Sequence, residues 1–223
     1  MNKTLLLAGV AVSLFAANAN AADLQQYVSA KLTYSDASHD VKWSDTWTND
    51  DDEVVSESGK QKFSDNVWGG SLAYGVKADA VRTELELNIK QDAEKKFSEV
   101  SEDEGDDAGV ETTKLSVENN SVMINAYYDI NTGTKLTPYV GAGIGMAHLK
   151  ATAKYDDGKD SKSKNNFAWQ VGAGVAYALT DNVALDAGYR YTDAGDVKIS
   201  DGESTNKYEA KSHEFLLGAR YSF

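Results

Sequence analysis

The chain contains no cysteine, which removes disulfide scaffolds, thiolate metal sites and cysteine nucleophiles together. It has a single proline against 18 glycines and 12 tyrosines, a balance that suits long unbroken strands better than a helical enzyme. Basic residues are short too. Lys plus Arg number 22 against 35 Asp plus Glu, for a formal net charge of -13. A surface of that sign repels phosphate backbones, so nucleic acid is not a partner. Beyond the N-terminus there is no apolar run of the roughly 18 to 20 residues that a membrane-crossing helix needs.

The N-terminus is a different matter. Asn2-Lys3 precedes the apolar run Leu5 to Ala17, and Ala19-Asn20-Ala21 closes it. A charged start, an apolar middle and an A-x-A end are the parts of an export signal. The division expected is therefore a signal peptide over residues 1–21 and one domain over residues 22–223.

That domain reads with a period of two. In Val81 to Lys90, Val81, Thr83, Leu85, Leu87 and Ile89 share one face while Arg82, Glu84, Glu86, Asn88 and Lys90 share the other. Strand side chains alternate in this way, whereas a helix of period 3.6 would mix the two sets. Eight such segments recur, at about residues 24–34, 68–77, 81–90, 121–130, 139–146, 167–179, 183–192 and 212–223. Short links near Ala78 to Ala80, Asn131 to Lys135 and Thr180 to Asn182 exchange strictly with long polar ones. The long ones are expected as loops at about Ser35 to Lys62, Asp92 to Thr113, Asp156 to Asn165 and Asp193 to Ala210, with strand-like stretches near Gln91 to Phe97 and Leu149 to Tyr155 extending the barrel above the membrane. Short turns on one rim and loops on the other are the plan of an up-and-down barrel.

Which face meets the solvent decides the class. A water-soluble barrel hides its apolar face. Here the polar face combines Arg82, Glu84, Glu86, Asp186, Arg190, Glu214 and Arg220 with many small residues, which suits the crowded lumen of a narrow barrel. The apolar face carries Trp68, Tyr128, Trp169, Tyr177, Tyr189 and Tyr191 near strand ends, candidates for the interfacial girdles of an outer-membrane barrel. The expected fold is all-β: an eight-stranded antiparallel transmembrane β-barrel with short periplasmic turns and four long surface loops.

Asn182 to Tyr191 resembles the seventh strand of small outer-membrane barrels of the opacity-protein and OmpA/OmpX type. Lys211 to Phe223 is similar to the terminal strand of opacity proteins, and Pro138-Tyr139-Val140-Gly141-Ala142-Gly143-Ile144-Gly145 to their fifth. The likeness is close over about the last ninety residues and one of pattern before them. It implies a Gram-negative outer membrane and contact with its lipid and lipopolysaccharide. It also implies that Tyr221 and Phe223 form the signal read by the barrel assembly machinery. Opacity proteins are often adhesins and are commonly classed with porins, so the resemblance leaves open an adhesive surface protein and a small porin.

Catalysis has little foundation. His39, His148 and His213 have no evident nucleophile partner, and in Ser212-His213-Glu214 neighbouring residues face opposite ways. No G-x-S-x-G elbow is present. The paired glycines Gly141, Gly143 and Gly145, with Gly172 and Gly174, miss the dinucleotide register and read as space-makers on the lumen face. Acidic clusters occupy the long connectors: Asp50, Asp51, Asp52 and Glu53; Glu102, Asp103, Glu104, Asp106 and Asp107; and Asp156, Asp157 and Asp160. None has EF-hand spacing; they read as solvated loops, with weak Ca²⁺ or Mg²⁺ binding as the alternative. No enzyme activity, cofactor or dedicated metal site is expected, and a monomer is. The lumen charges either plug the barrel or line a path. At about eight strands the interior is just wide enough to be filled by side chains.

Overall fold

The computed structural model describes residues 24–48, 54–100, 110–155, 158–201 and 204–223. The proposed export segment lies outside them, as do Asp50, Asp51, Asp52, Glu53, Glu102, Asp103, Glu104, Asp106, Asp107, Asp156 and Asp157. The side chains of His39 and Asp160 are likewise outside. Among the described residues there is no helix.

Nine strand segments follow one another: β1 Gln25–Thr48, β2 Val54–Ala78, β3 Val81–Lys90, β4 Ala93–Val100, β5 Val110–Asp129, β6 Leu136–Tyr155, β7 Gly158–Ala178, β8 Val183–Asp201 and β9 Ser204–Ser222. They make eight barrel staves, because β3 and β4 both pair antiparallel with β5 and form one interrupted stave. Four steps from Ile89 to Ala93 face three steps from Asn120 to Val117, so one extra residue is accommodated as a bulge. Each remaining stave pairs with its chain neighbour. The β1–β9 and β3–β5 ladders complete the ring. Closure leaves no free edge at the level of the wall, the condition for a sheet surrounded by hydrocarbon.

Alternation sorts the two faces. Leu32, Leu72, Ile89, Phe167, Phe215 and Leu217 are among the large apolar residues exposed on the outer wall. The inner positions Thr33, Glu84, Glu86, Asn125 and Glu214 are almost wholly buried. The apolar band of the wall ends abruptly at a polar row, Asp36, Asn66, Asn120, His148, Asn165 and His213, each two positions beyond an outward Tyr34, Trp68, Val122, Met146, Phe167 or Phe215.

The short-turn rim is as expected in place. Ala78 and Val81 are joined by a two-residue turn in which Asp79 takes φ 50°, the left-handed region. The opposite rim corrects the expectation of long loops. The β1–β2 ladder runs unbroken to Thr48 opposite Val54, β4–β5 to Val100 opposite Val110 and β6–β7 to Tyr155 opposite Gly158, and β8–β9 continues past one bulge to Asp201 opposite Ser204. Most of each supposed loop is hairpin. The strand-like stretches near Gln91 to Phe97 and Leu149 to Tyr155 are indeed strand; hydrophobic alternation marks little else here, because backbone pairing needs no apolar side chain.

Beyond the wall the cylinder divides. The β2–β3 ladder ends at Gly69–Lys90, with Gln91 N–H donating to Trp68 O at 2.8 Å. The β7–β8 ladder ends at Trp169–Asp193. Farther out, the described residues pair as two separate four-stranded sheets, β4-β5-β6-β7 and β8-β9-β1-β2. A second bulge, at Asp193/Asp196 with Gly195 at φ 79°, bends β8 at this seam, and Lys164 Nζ donates across it to Asp196 O at 2.8 Å.

Candidate functional site

Two sites are in question, the lumen and the outer wall. Arg82, Glu84, Glu86, Asp186, Arg190, Glu214 and Arg220 all occupy inward strand positions and are at most 8% exposed. They do not form isolated pairs. Near the short-turn rim, Asp129 accepts from Arg82 Nε at 2.8 Å and from Lys77 at 3.0 Å. Arg220 and Asp186 are a looser pair at 3.6 Å. The Arg82 guanidinium lies 4.7 Å from the Tyr127 ring centre and 5.0 Å from that of Tyr139, stacked in cation–π contact.

At mid-height Lys31 donates to Glu84 at 2.7 Å and to Glu86 at 2.8 Å. The hydroxyls of Tyr127 and Tyr27 donate to Glu84 as well, at 2.8 and 3.2 Å. Above, Arg190 joins three staves: Nη1 to Glu86 and Nε to Glu214, each at 2.5 Å, and Nη2 to Asn88 at 2.8 Å. Lys90 and Ser212 also donate to Glu214. Lys31, Lys77, Lys90, Asp129 and the two tyrosines were not singled out from sequence. The signal that finds them is the inward phase of their strands, shared with the residues that were.

The web is tightly filled from mid-height outward, while toward the short-turn rim a gap of about 140 Å³ opens beside Tyr27, Lys77, Arg82 and Arg220. Two gaps within it, one bounded by Lys31, Arg82, Asn125, Tyr127 and Gln170, the other by Ser35, Lys90, Asn119 and Ser212, have volumes of about 30 Å³ each. That is the space of roughly a single water molecule. Glycine makes the packing possible: a Cβ at Gly141 would stand 2.2 Å from a Tyr127 ring atom, and one at Gly174 would stand 2.5 Å from Tyr139. Ions taken from water are costly unless partnered. The middle and upper tiers partner Glu84, Glu86, Glu214 and Arg190, whereas Arg82 Nη2, Asp186 Oδ1 and Arg220 Nη1, nearer the short-turn rim, are buried without a hydrogen-bond partner.

On the outer wall, Trp68, Tyr128, Trp169, Tyr177 and Tyr189 are exposed and Tyr191 is half-buried. They fall into two bands. Tyr128, Tyr177, Tyr221 and Phe223 lie by the short-turn rim. Trp68, Trp169, Tyr189 and Tyr191 lie toward the other, with Tyr34 5.1 Å from Trp68 and Tyr191 5.5 Å from Trp169 between ring centres. Ser212 and His213 part company across the wall. Ser212 turns inward to Glu214 at 2.7 Å, while the His213 Nδ1 lies 2.5 Å from the Tyr189 hydroxyl outside. No serine–histidine couple forms there.

A closed cylinder with an apolar exterior and an ionic interior is an outer-membrane β-barrel protein of a Gram-negative cell. The chain belongs to the outer membrane protein beta-barrel domain family, whose model matches residues 6–223. It is 36% identical over 176 residues to the outer membrane protein PagN of Salmonella typhimurium, covering 70% of this chain and 73% of PagN. It is 29% identical over 131 residues to opacity protein opA67 of Neisseria gonorrhoeae, or 46% of this chain and 53% of that one. The crystal structure of Neisserial surface protein A aligns with a TM-score of 0.51 at 22% identity, covering 89% of this chain and 97% of that one, a likeness of fold.

Proposed function

We propose that this protein is a surface scaffold in which a closed barrel anchors four projecting hairpins, and that the hairpins make structural or adhesive contacts with host or neighbouring-cell molecules. The observation that carries this reading is strand length. About 9 to 11 residues of tilted strand cross a bilayer, whereas β1 has 24, β2 25 and β7 21. Roughly half of each therefore stands beyond the apolar band, on a rigid base, where binding segments commonly sit.

The same reading has the export segment removed after Ala21, the short turns in the periplasm, Tyr221 and Phe223 recognised by the assembly machinery, and a monomer as the working form. The aromatic bands would sit at the two faces of the bilayer. The filled lumen supports an anchor in preference to a small porin. Attachment of cells displaying the protein, with and without the four hairpins shortened to their membrane-proximal ends, tests it. Attachment unchanged after shortening all four removes the adhesive role.

A further inference from the structure

The ionic web is balanced at one end of the lumen and not at the other. In its middle and upper tiers the cations Lys31, Lys90 and Arg190 meet as many carboxylates, Glu84, Glu86 and Glu214. By the short-turn rim, among the described residues, the inward cations Lys77, Arg82 and Arg220 meet only Asp129 and Asp186. One positive charge is left over there. Asp129 is shared between Arg82 and Lys77, and the Arg220 pair with Asp186 is stretched to 3.6 Å. Arg82 Nη2 and Arg220 Nη1 are both buried with no acceptor among the described residues, in side chains that are themselves more than nine-tenths buried or close to it.

Geometry brings these two donors to one place. The guanidinium centres of Arg82 and Arg220 lie 5.9 and 5.5 Å from the centre of the same ring, Tyr27. That ring is pressed against Gly75 of β2, where it leaves no room for a Cβ, so both guanidiniums share its lumen side. Both arginines line the gap of about 140 Å³ at the short-turn rim, with Lys77 beside them. Lys77 is one-third exposed and marks the open side. The mouth is formed by Thr180, Asn182 and Ser222 and is held in shape by its own hydrogen bonds. Asn182 Nδ2 donates to Ser222 O and Ser222 N–H to Asn182 O, each at 2.8 Å, while Thr180 Oγ1 accepts from Val183 N–H at 3.0 Å. The exposed Asp181 of the same turn also lines the mouth and opposes an anion there.

A buried donor without an acceptor costs free energy, and a guanidinium meets an oxyanion with short, charge-assisted hydrogen bonds. We propose that this cup binds one small oxyanion, a phosphate ion or a single carboxylate group, between Arg82 Nη2 and Arg220 Nη1 with Lys77 at its side. The ligand offsets the surplus charge of the tier and supplies the acceptor that both arginines lack. Size selects a single group, because the volume is well below the roughly 300 to 1,000 Å³ of sites for drug-sized ligands. Position excludes a lipid headgroup, since the cup lies inside the ring of staves and opens toward the short turns, not through the apolar wall. On the orientation proposed above the anion enters from the periplasm. The chemistry of the cup is the same in either orientation.

Calorimetric titration of the whole barrel protein, folded in zwitterionic micelles in a chloride-free buffer, tests this with two probes, inorganic phosphate and N-acetylalanine. One saturable site is expected. Tighter binding of phosphate assigns a free ion, and tighter binding of N-acetylalanine assigns a carboxylate carried by a peptide. R220Q is expected to weaken the preferred probe at least about tenfold, through loss of a charge-assisted hydrogen bond. R220Q/D186N removes the stretched pair whole and keeps the net charge of the tier. It is expected to bind as weakly as R220Q, which separates lost hydrogen bonds from lost charge. R220K is expected to recover part of the affinity, D181N to bind more tightly than wild type, and K150Q, out beyond the polar row, to match wild type. Saturating probe is expected to raise the urea midpoint of wild type and to leave that of R220Q unmoved. Heat-modifiable migration on gels verifies that each barrel is closed. No saturable binding of either probe, or equal affinity in wild type, R220Q and R220Q/D186N, overturns the site. Adhesion by the hairpins is a separate question, decided by its own assay.

Discussion

Arg190 on β8 reaches across the barrel axis to Glu86 on β3, 104 residues earlier in the chain, at 2.5 Å. Its Nε holds Glu214 on the neighbouring stave at the same distance. A single guanidinium therefore ties opposite walls together, and both carboxylates it serves are wholly buried.

Removing that guanidinium leaves buried carboxylates short of a partner. Arg190→Ala is expected to destabilise the barrel by about 3 to 5 kcal/mol, the usual cost of stripping one member from a buried ion cluster. Adding Glu86→Gln and Glu214→Gln to it is expected to recover much of that loss. Urea titration in vesicles, followed by tryptophan fluorescence, measures both. Equal stability of the single and triple variants would contradict the network as described.

The same web closes the lumen. In planar bilayers the wild-type protein is expected to show no steady conductance. Combining Lys90→Ala, Arg190→Ala and Glu214→Ala empties the upper tier and is expected to admit transient ion steps. Steady wild-type currents would replace the closed anchor with a channel.

Positions on the outer wall respond to charge according to their depth. Leu217 faces outward and is well exposed, whereas His213 lies in the polar row at the edge of the apolar band. Leu217→Arg is expected to cost about 2 to 4 kcal/mol and His213→Arg under about 1, following the depth dependence of cations on a lipid-facing wall. Comparable costs at the two sites would mean that the wall is not immersed as proposed.

Gly141→Val forces branched atoms into the Tyr127 ring. Overpacking of this kind typically costs about 1 to 3 kcal/mol. Slower barrel closure in a refolding gel assay is expected, with partial recovery on Tyr127→Ala. Recovery is incomplete because the Tyr127 hydroxyl also serves Glu84.

Orientation is tested by epitope insertion. A tag placed after Asp52 is expected to bind antibody on intact cells, and a tag after Asp181 only once the outer membrane is breached. The reverse result would invert the barrel.

Much of this protein is legible in the order of its residues. The alternation of Val81 to Lys90 alone tells the wall from the lumen, because a strand has two faces and lipid and ions cannot share one. The turns at Asp79 and Gly133 and the count of eight staves follow from the same periodicity. The tertiary structure decided the rest. Lys31, Lys90 and Asp129 join the lumen web only because closure brings staves far apart in sequence around one axis. The polar stretches read as loops became ladders, since backbone hydrogen bonds extend a hairpin whether or not its side chains are apolar. Glu86, Arg190 and Glu214 are scattered along the chain and meet only when register is set. Periodicity is a local property of a strand, whereas register is a relation between strands, fixed by the turns, the bulges and the closing of the ring.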